Sequence, residues 1–242
     1  MGRCAKAATC VECEKEILLL MRVIFIEGNI GAGKTSLLKE LGEHFGDKVC
    51  IVEEPVDVWE KSGLLAECYD GTVSRAIFQH VALSTKTAAL AEALRDTEED
   101  KLILAERSPF SDAAVFAKAF LEEEVEQRAY KVAHDAALRT LGPLDCAFIF
   151  LEGASTATLA ERIRTRNRNG EASIDTALLA KLENLHIDLK RAWQQFHLLC
   201  QMTNCPVTPV VGLDCNAHPQ EIFRRAVEFI QPHLRAPLES RT

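Results

Sequence analysis

Eight residues, Gly28-Asn29-Ile30-Gly31-Ala32-Gly33-Lys34-Thr35, fit the pattern G-x-x-x-x-G-K-[ST]. They stand between an apolar run, Val23-Ile24-Phe25-Ile26-Glu27, and a segment with leucines at helical spacing, Ser36-Leu37-Leu38-Lys39-Glu40-Leu41. Strand, glycine-rich turn and helix in that order constrain the fold more than any other feature, because the turn works as a phosphate cradle only in that setting. Glycines let successive backbone N–H groups converge on an anion, and the positive end of the following helix adds to the attraction. In such a loop Lys34 reaches the β- and γ-phosphates of a nucleoside triphosphate, and the Thr35 hydroxyl serves Mg²⁺.

Four further apolar runs, residues 50–53, 102–106, 146–151 and 210–213, end in turn or charged residues and alternate with helical patterns. This alternation implies an α/β P-loop NTPase fold: a doubly wound, five-stranded parallel sheet with helices on both faces. Ligands of such sheets gather at the carboxyl ends of the strands. The longest helical patterns cover 74–95, 123–140 and 175–200, and Gly142-Pro143 closes the second. A chain of 242 residues suits one such domain, expected over 22–235, between a flexible N-terminal tail (1–21) and a short C-terminal one (236–242).

The net charge of −8 argues against a general nucleic-acid binder, which needs clustered Lys and Arg. No stretch approaches the roughly 20 apolar residues of a membrane span. Nine cysteines, with no secretory leader pattern, fit the reducing cytoplasm better than a disulfide framework. Cys10 and Cys13 make a single CxxC without the further ligands a closed zinc site requires.

Charged residues cluster where the strands end. Glu54, in Glu53-Glu54-Pro55-Val56-Asp57-Val58-Trp59, follows the second strand, and the proline biases it toward an extended conformation. A carboxylate there can accept a proton from an attacking hydroxyl. The third strand ends in Glu106-Arg107-Ser108, so an acid suited to Mg²⁺ and a base suited to transferred-phosphate charge emerge together. Arg162, Arg164, Arg166 and Arg168 stand at alternate positions before Asn169-Gly170-Glu171, a pattern that does not share one helix face and suits a lid over phosphates. Phe78-Gln79, Ala82 and Lys86 fall at helical spacing; the Gln79 amide offers both a donor and an acceptor to a base edge, and Lys86 and Asp112 can pair around the same base.

Taken in order, the loop, Glu54-Pro55-Val56, Phe78-Gln79, Glu106-Arg107-Ser108 and the arginine lid resemble the deoxynucleoside kinases, the family of deoxycytidine, deoxyguanosine and mitochondrial thymidine kinases. The resemblance runs from about Val23 to Gln220 and implies ATP as donor, Mg²⁺ as cofactor, a deoxynucleoside as acceptor and a homodimer. It further implies Glu54 as general base on the 5′-hydroxyl, with Arg107 and Lys34 supporting the transfer and Thr35 and Glu106 serving the metal. Gln79 would pair with the base, Phe116 stack beneath it, and Trp59 and Phe78 wall the pocket. Tyr69 and Glu171 match the residues that bind the sugar 3′-hydroxyl. Arg162, Arg166 and Arg168 match the lid, Arg164 is a bystander, and Leu213-Asp214-Cys215-Asn216 looks like the adenine-side loop.

Lys86 stands where deoxycytidine- and purine-preferring members have an arginine, so the charge is kept but the planar fork is not. With Asp112 this leans toward deoxycytidine or a purine deoxynucleoside over thymidine. A thymidylate-type monophosphate kinase would need more cations on the acceptor side. A GTP switch would need Asn-Lys-x-Asp, which the chain lacks, and an assembly ATPase would use Glu152 as its Walker-B acid.

Overall fold

The computed structural model describes residues 22–98, 100–168, 170–203 and 208–234. The two expected tails and the Cys10/Cys13 pair therefore lie outside the described residues, as does Asn169. Five strands, β1 (Arg22–Gly28), β2 (Val49–Val52), β3 (Leu102–Glu106), β4 (Asp145–Glu152) and β5 (Val210–Asp214), form one parallel sheet in the order β2-β3-β1-β4-β5. Val23 to Ile26 are completely or almost completely buried because β1 is the central strand, covered on both faces, which is why its sequence reads as a continuous apolar run. β2 ends at Val52, one residue earlier than the apolar pattern suggests. Its pairing with β3 stops at Val52↔Ala105, and Glu53 is exposed where the chain turns toward Pro55.

Nine helices of the described residues surround the sheet. They are α1 (Lys34–Phe45), α2 (Val56–Lys61), α3 (Leu64–Asp70), α4 (Arg75–Asp96), the composite α5, α6 (Glu124–Leu141), α7 (Thr156–Arg166), α8 (Thr176–Thr203) and α9 (Pro219–Ile230). The composite α5 joins Pro109–Ser111, a π-helical turn over Asp112–Ala117, and Lys118–Phe120. Ser74 caps α4 by accepting from the Ala76 N–H at 3.2 Å, and Gly142, at φ 72°, ends α6.

Two connections position the site. The chain leaves β1 for β2 on one side of the sheet and leaves β3 for β4 on the other, so adjacent strands β1 and β3 send their following segments apart. A crevice opens at such a switch point. Its floor is the glycine loop after β1 and the Glu106-Arg107-Ser108 turn after β3. Gly28, at φ 141°, is required at the start of the loop, since a Cβ there would lie 2.5 Å from the Leu151 carbonyl oxygen.

Candidate active site

The crevice opens into a cavity of about 460 Å³ that reaches from the glycine loop to α3, α4 and α5. At the loop end, Lys34 is buried and its ammonium donates to the Asn29 carbonyl oxygen at 2.9 Å, with Glu106 Oε1 3.8 Å away. The Thr35 hydroxyl donates to Glu106 Oε2 at 2.8 Å. Glu106 thus orders both loop side chains that a triphosphate would meet. Burial and the charge of Arg107 lower the Lys34 pKa to about 8, against the opposing pull of Glu106 and Glu54. Asn29 faces away from the loop interior and ties it to α8, donating to the Leu179 carbonyl at 2.8 Å and to Glu183 at 3.1 Å. Ile30 and Ala32 are buried beneath the loop, Gly31 packs against the Leu159 carbonyl, and Gly33, at φ 98°, starts α1.

In the centre, four charges meet. Arg107 adopts φ 64°, in the left-handed region, one of two non-glycine residues described that do so. That conformation turns its guanidinium back over the crevice. Its Nη1 donates to the Gly28 carbonyl at 2.9 Å, its Nε lies 3.2 Å from Glu54 Oε1, and its plane sits 4.4 Å from the centre of the Phe116 ring. Lys86 lies 3.5 Å from Glu54 and forms a tight ion pair with Asp112. Burial acts to raise the Glu54 pKa, but Arg107, Lys86 and Lys34 outweigh it and lower the value to about 2. Glu54 is therefore ionised across the neutral range. Burial raises the Asp112 pKa despite Lys86, and Asp112 Oδ2 is buried without a hydrogen-bond partner among the described residues.

The far end is lined by aromatic and apolar groups. Trp59 is buried, donates its indole N–H to Thr85 Oγ1 at 3.0 Å and meets Phe78 edge to face at 5.4 Å. Gln79 and Ala82 are buried one helical turn apart on α4, facing the cavity, and no hydrogen bond joins the Gln79 amide to another described residue. Asp112 and Phe116 both reach the cavity from the π-helical turn, a local irregularity of the kind often found at functional sites. Tyr69 lines the wall on α3, its pKa raised by burial and by Glu171.

The lid arginines divide. Arg166 and Arg168 reach the cavity and converge on buried Glu171, with Arg166 Nη2 2.8 Å from Oε1 and 2.6 Å from Oε2, and Arg168 Nη1 3.3 Å from Oε1. Arg162 lies outside the cavity lining and donates to the Cys215 carbonyl at 2.9 Å, beside the loop that follows β5. Arg164 is exposed and pairs with Glu161 within α7. Asp214 is also exposed, and its carboxylate accepts from the backbone and side chain of Asn216. Glu152, the alternative Walker-B acid, pairs with Lys190 away from the cavity.

A carboxylate, the cations Arg107 and Lys86 and a glycine loop that line one cavity suit phosphoryl transfer between two bound molecules. Comparison with known proteins decides which. A family model described as deoxynucleoside kinase matches residues 24–230. The chain belongs to the deoxynucleoside kinase family. It is 29% identical over 228 residues to a protein named thymidine kinase from Ictalurid herpesvirus 1 (strain Auburn), covering 89% of this chain and 90% of the relative. It is also 29% identical over 224 residues to deoxycytidine kinase 2 of Gallus gallus, covering 81% and 83%. To deoxyguanosine kinase of Dictyostelium discoideum it is 27% identical over 168 residues, 68% of this chain and 57% of that one. As a deoxynucleoside kinase the protein uses ATP as nucleotide phosphate donor and a small-molecule deoxynucleoside as acceptor. No helix among the described residues is long and apolar enough to cross a membrane.

Three residues of this kinase site escape the sequence patterns. Glu60 pairs with Arg168 at 3.5 Å, bridging α2 to the lid, but an exposed helical glutamate gives no signal of that. His186 supports Phe116 edge to face at 6.0 Å, and burial lowers its pKa to about 3. Glu27 is the third, and its signal was visible: it is the one charged residue in the run Val23-Ile24-Phe25-Ile26-Glu27.

The Lys34 shift sets a pH dependence. Its ammonium is charged below about pH 8 and neutral above it in the free enzyme, so attraction for triphosphate is present below that value and lost above it. The expected profile of kcat/KM for ATP falls through about pH 8, while kcat at saturating ATP falls only at higher pH, because bound phosphates hold the proton on. A kcat/KM profile flat to pH 10 would contradict the Lys34 environment described.

Proposed function

We propose that the kinase transfers the γ-phosphoryl group of ATP to the 5′-hydroxyl of a deoxynucleoside, with deoxycytidine or a purine deoxynucleoside preferred over thymidine. The observation that carries the preference is the Lys86–Asp112 pair: Lys86 engages one Asp112 oxygen and leaves Oδ2 buried with no donor among the described residues. An unpaired buried acceptor costs stability until a ligand satisfies it. The 4-amino group of cytosine, the 6-amino group of adenine and the 2-amino group of guanine supply such a donor, whereas thymine has no amino group and offers only its N3–H. Gln79 would complete the base edge, over Phe116 and between Trp59, Phe78 and Ala82, all of them cavity-lining. Tyr69 and Glu171 would hold the sugar 3′-hydroxyl.

Glu54 is proposed as the group that orients and deprotonates the 5′-hydroxyl. Its low pKa makes it a weak base, which suits a loose transition state in which little negative charge develops on the nucleophile until late. Arg107 and Lys34 would stabilise charge on the transferred group, Arg166 and Arg168 would close over the phosphates, and Arg162 and Asp214 would lie toward the donor base. The Thr35 hydroxyl and the Glu106 carboxylate, 2.8 Å apart, fit Mg²⁺, which takes one or two protein oxygens and completes its shell with phosphates and water. When bound, Mg²⁺ would neutralise charge on the β- and γ-oxygens.

A homodimer is proposed through α4 and α6, which pack together and leave Ile77, Val125 and Val132 57%, 62% and 70% exposed. Sedimentation of the intact protein is expected to give twice the chain mass, and Val125→Glu to reduce it. A monomer at micromolar concentration would remove that proposal. We further place the protein in the reducing cytoplasm, in keeping with its nine cysteines.

ATP assayed with each of the four natural deoxynucleosides, coupled to ADP release, tests the reading. Turnover is expected, highest on an amino-bearing base, and Glu54→Gln is expected to lower kcat by about 100-fold or more while ATP still binds. Highest activity on thymidine would overturn the preference, inactivity on all four would overturn the assignment, and near-normal turnover by Glu54→Gln would remove that residue from its role.

A further inference from the structure

Glu27 is the next-to-last residue of the central strand and is 0% exposed, yet none of the roles above uses it. A carboxyl group in that position is costly unless it holds something in place. Its Oε1 accepts from the Ser108 N–H at 2.8 Å and from the Ser108 hydroxyl at 2.6 Å. Oε2 has no hydrogen-bond partner among the described residues.

The neighbours of Glu27 grip the same turn. The Ile26 carbonyl accepts from the Arg107 N–H at 3.0 Å, and the Gly28 carbonyl accepts from Arg107 Nη1 at 2.9 Å. Three consecutive residues of β1 therefore fix the two residues that follow Glu106. They do so just where β1 and β3 stop pairing, at Ile26↔Glu106, the Arg107 N–H bond to Ile26 closing that pairing. The turn needs fixing because Arg107 sits at φ 64°, a conformation that is costly for a residue with a side chain and persists only when its surroundings enforce it. Of the three β1 residues, Glu27 is the one that uses its side chain, so a substitution there removes its contact while leaving Arg107 itself unchanged.

We infer that Glu27 is a positioning residue for phosphoryl transfer: by holding Ser108 it keeps Arg107 in its left-handed conformation, with the guanidinium aimed between Gly28 and Glu54. Burial raises the Glu27 pKa, against opposing hydrogen bonds from Ser108 and the charge of Arg107. The group needed is an acceptor at Oε1 rather than a negative charge, and glutamine provides that acceptor. The inference rests on the assignment of Arg107 to the transfer site.

The test compares Glu27→Gln and Glu27→Leu in the full chain, measuring kcat, KM for ATP and for the nucleoside, and thermal unfolding. Glu27→Gln is expected to keep kcat within about fivefold of wild type, and a folded Glu27→Leu to lose on the order of 100-fold in kcat with both KM values within about threefold, since misplacement of a transition-state group costs rate and not ground-state binding. A purely structural role would shift the melting temperature without separating kcat from KM. Folded Glu27→Leu with wild-type kcat overturns the inference, and so does Glu27→Gln as damaged as Glu27→Leu. Should Glu27→Leu not fold, Ser108→Ala removes the hydroxyl donor to Glu27, together with the cap that the same oxygen gives the Ser111 N–H at 3.1 Å: a kcat loss of about tenfold at unchanged KM supports the inference, and unchanged kcat overturns it. Wild-type protein without turnover on any deoxynucleoside would defeat the kinase reading itself, a result distinct from all of these.

Discussion

One guanidinium joins the two halves of this molecule. Arg107 leaves the end of β3, turns back through a left-handed backbone conformation and lies between the Gly28 carbonyl, the Glu54 carboxylate and the face of Phe116. In the function proposed above, the glycine loop belongs to the donor side, and Glu54 and Phe116 belong to the acceptor side. Removing one partner of a buried ion pair leaves an uncompensated charge that costs about 3–5 kcal/mol, so Arg107 and Glu54 hold each other in place. Lys86 extends the set to Asp112, and every charge in the centre of the cavity faces an opposite one. This balance lets charged groups persist in a buried crevice before any substrate arrives.

A second buried carboxylate gathers cations in the same way at the arginine segment. Glu171 is buried and binds both Arg166 and Arg168, while Arg168 also reaches Glu60 on α2. Gly170 makes the seat possible, since at φ 86° it packs against Ala66, where a Cβ would lie 2.6 Å from the Ala66 Cα. The segment carrying Glu171 is therefore pressed against α3, which also carries Tyr69, and the two proposed sugar contacts share one wall.

Much of this was legible in the sequence because burial patterns are local. Continuous apolar runs gave all five strands to within a residue at each end, and the ends of β1 and β3 could be read from the residues that follow them. The glycine loop was unambiguous because its setting between strand and helix is part of the motif. The Lys86–Asp112 pair could be anticipated from helical spacing and family resemblance. What could not be read depends on long-range geometry. The π-helical turn that brings Asp112 and Phe116 to the cavity has no sequence signature, and neither does the positive φ of Arg107. The alternate spacing of the four arginines did not predict that Arg162 would turn to the Cys215 carbonyl while Arg166 and Arg168 share Glu171. Glu27 was read as part of a strand and nothing more, because its partner Ser108 is 81 residues away.

Arg107→Lys tests the central claim most directly, because it keeps the positive charge and removes the planar fork that reaches Gly28, Glu54 and Phe116 together. Steady-state turnover and equilibrium binding of both substrates would be measured on the folded variant. The account predicts a kcat loss on the order of 100-fold with both substrates still bound, as for loss of a group that stabilises the transition state. A variant that turns over within about threefold of wild type would contradict the claim that this guanidinium joins the donor and acceptor halves.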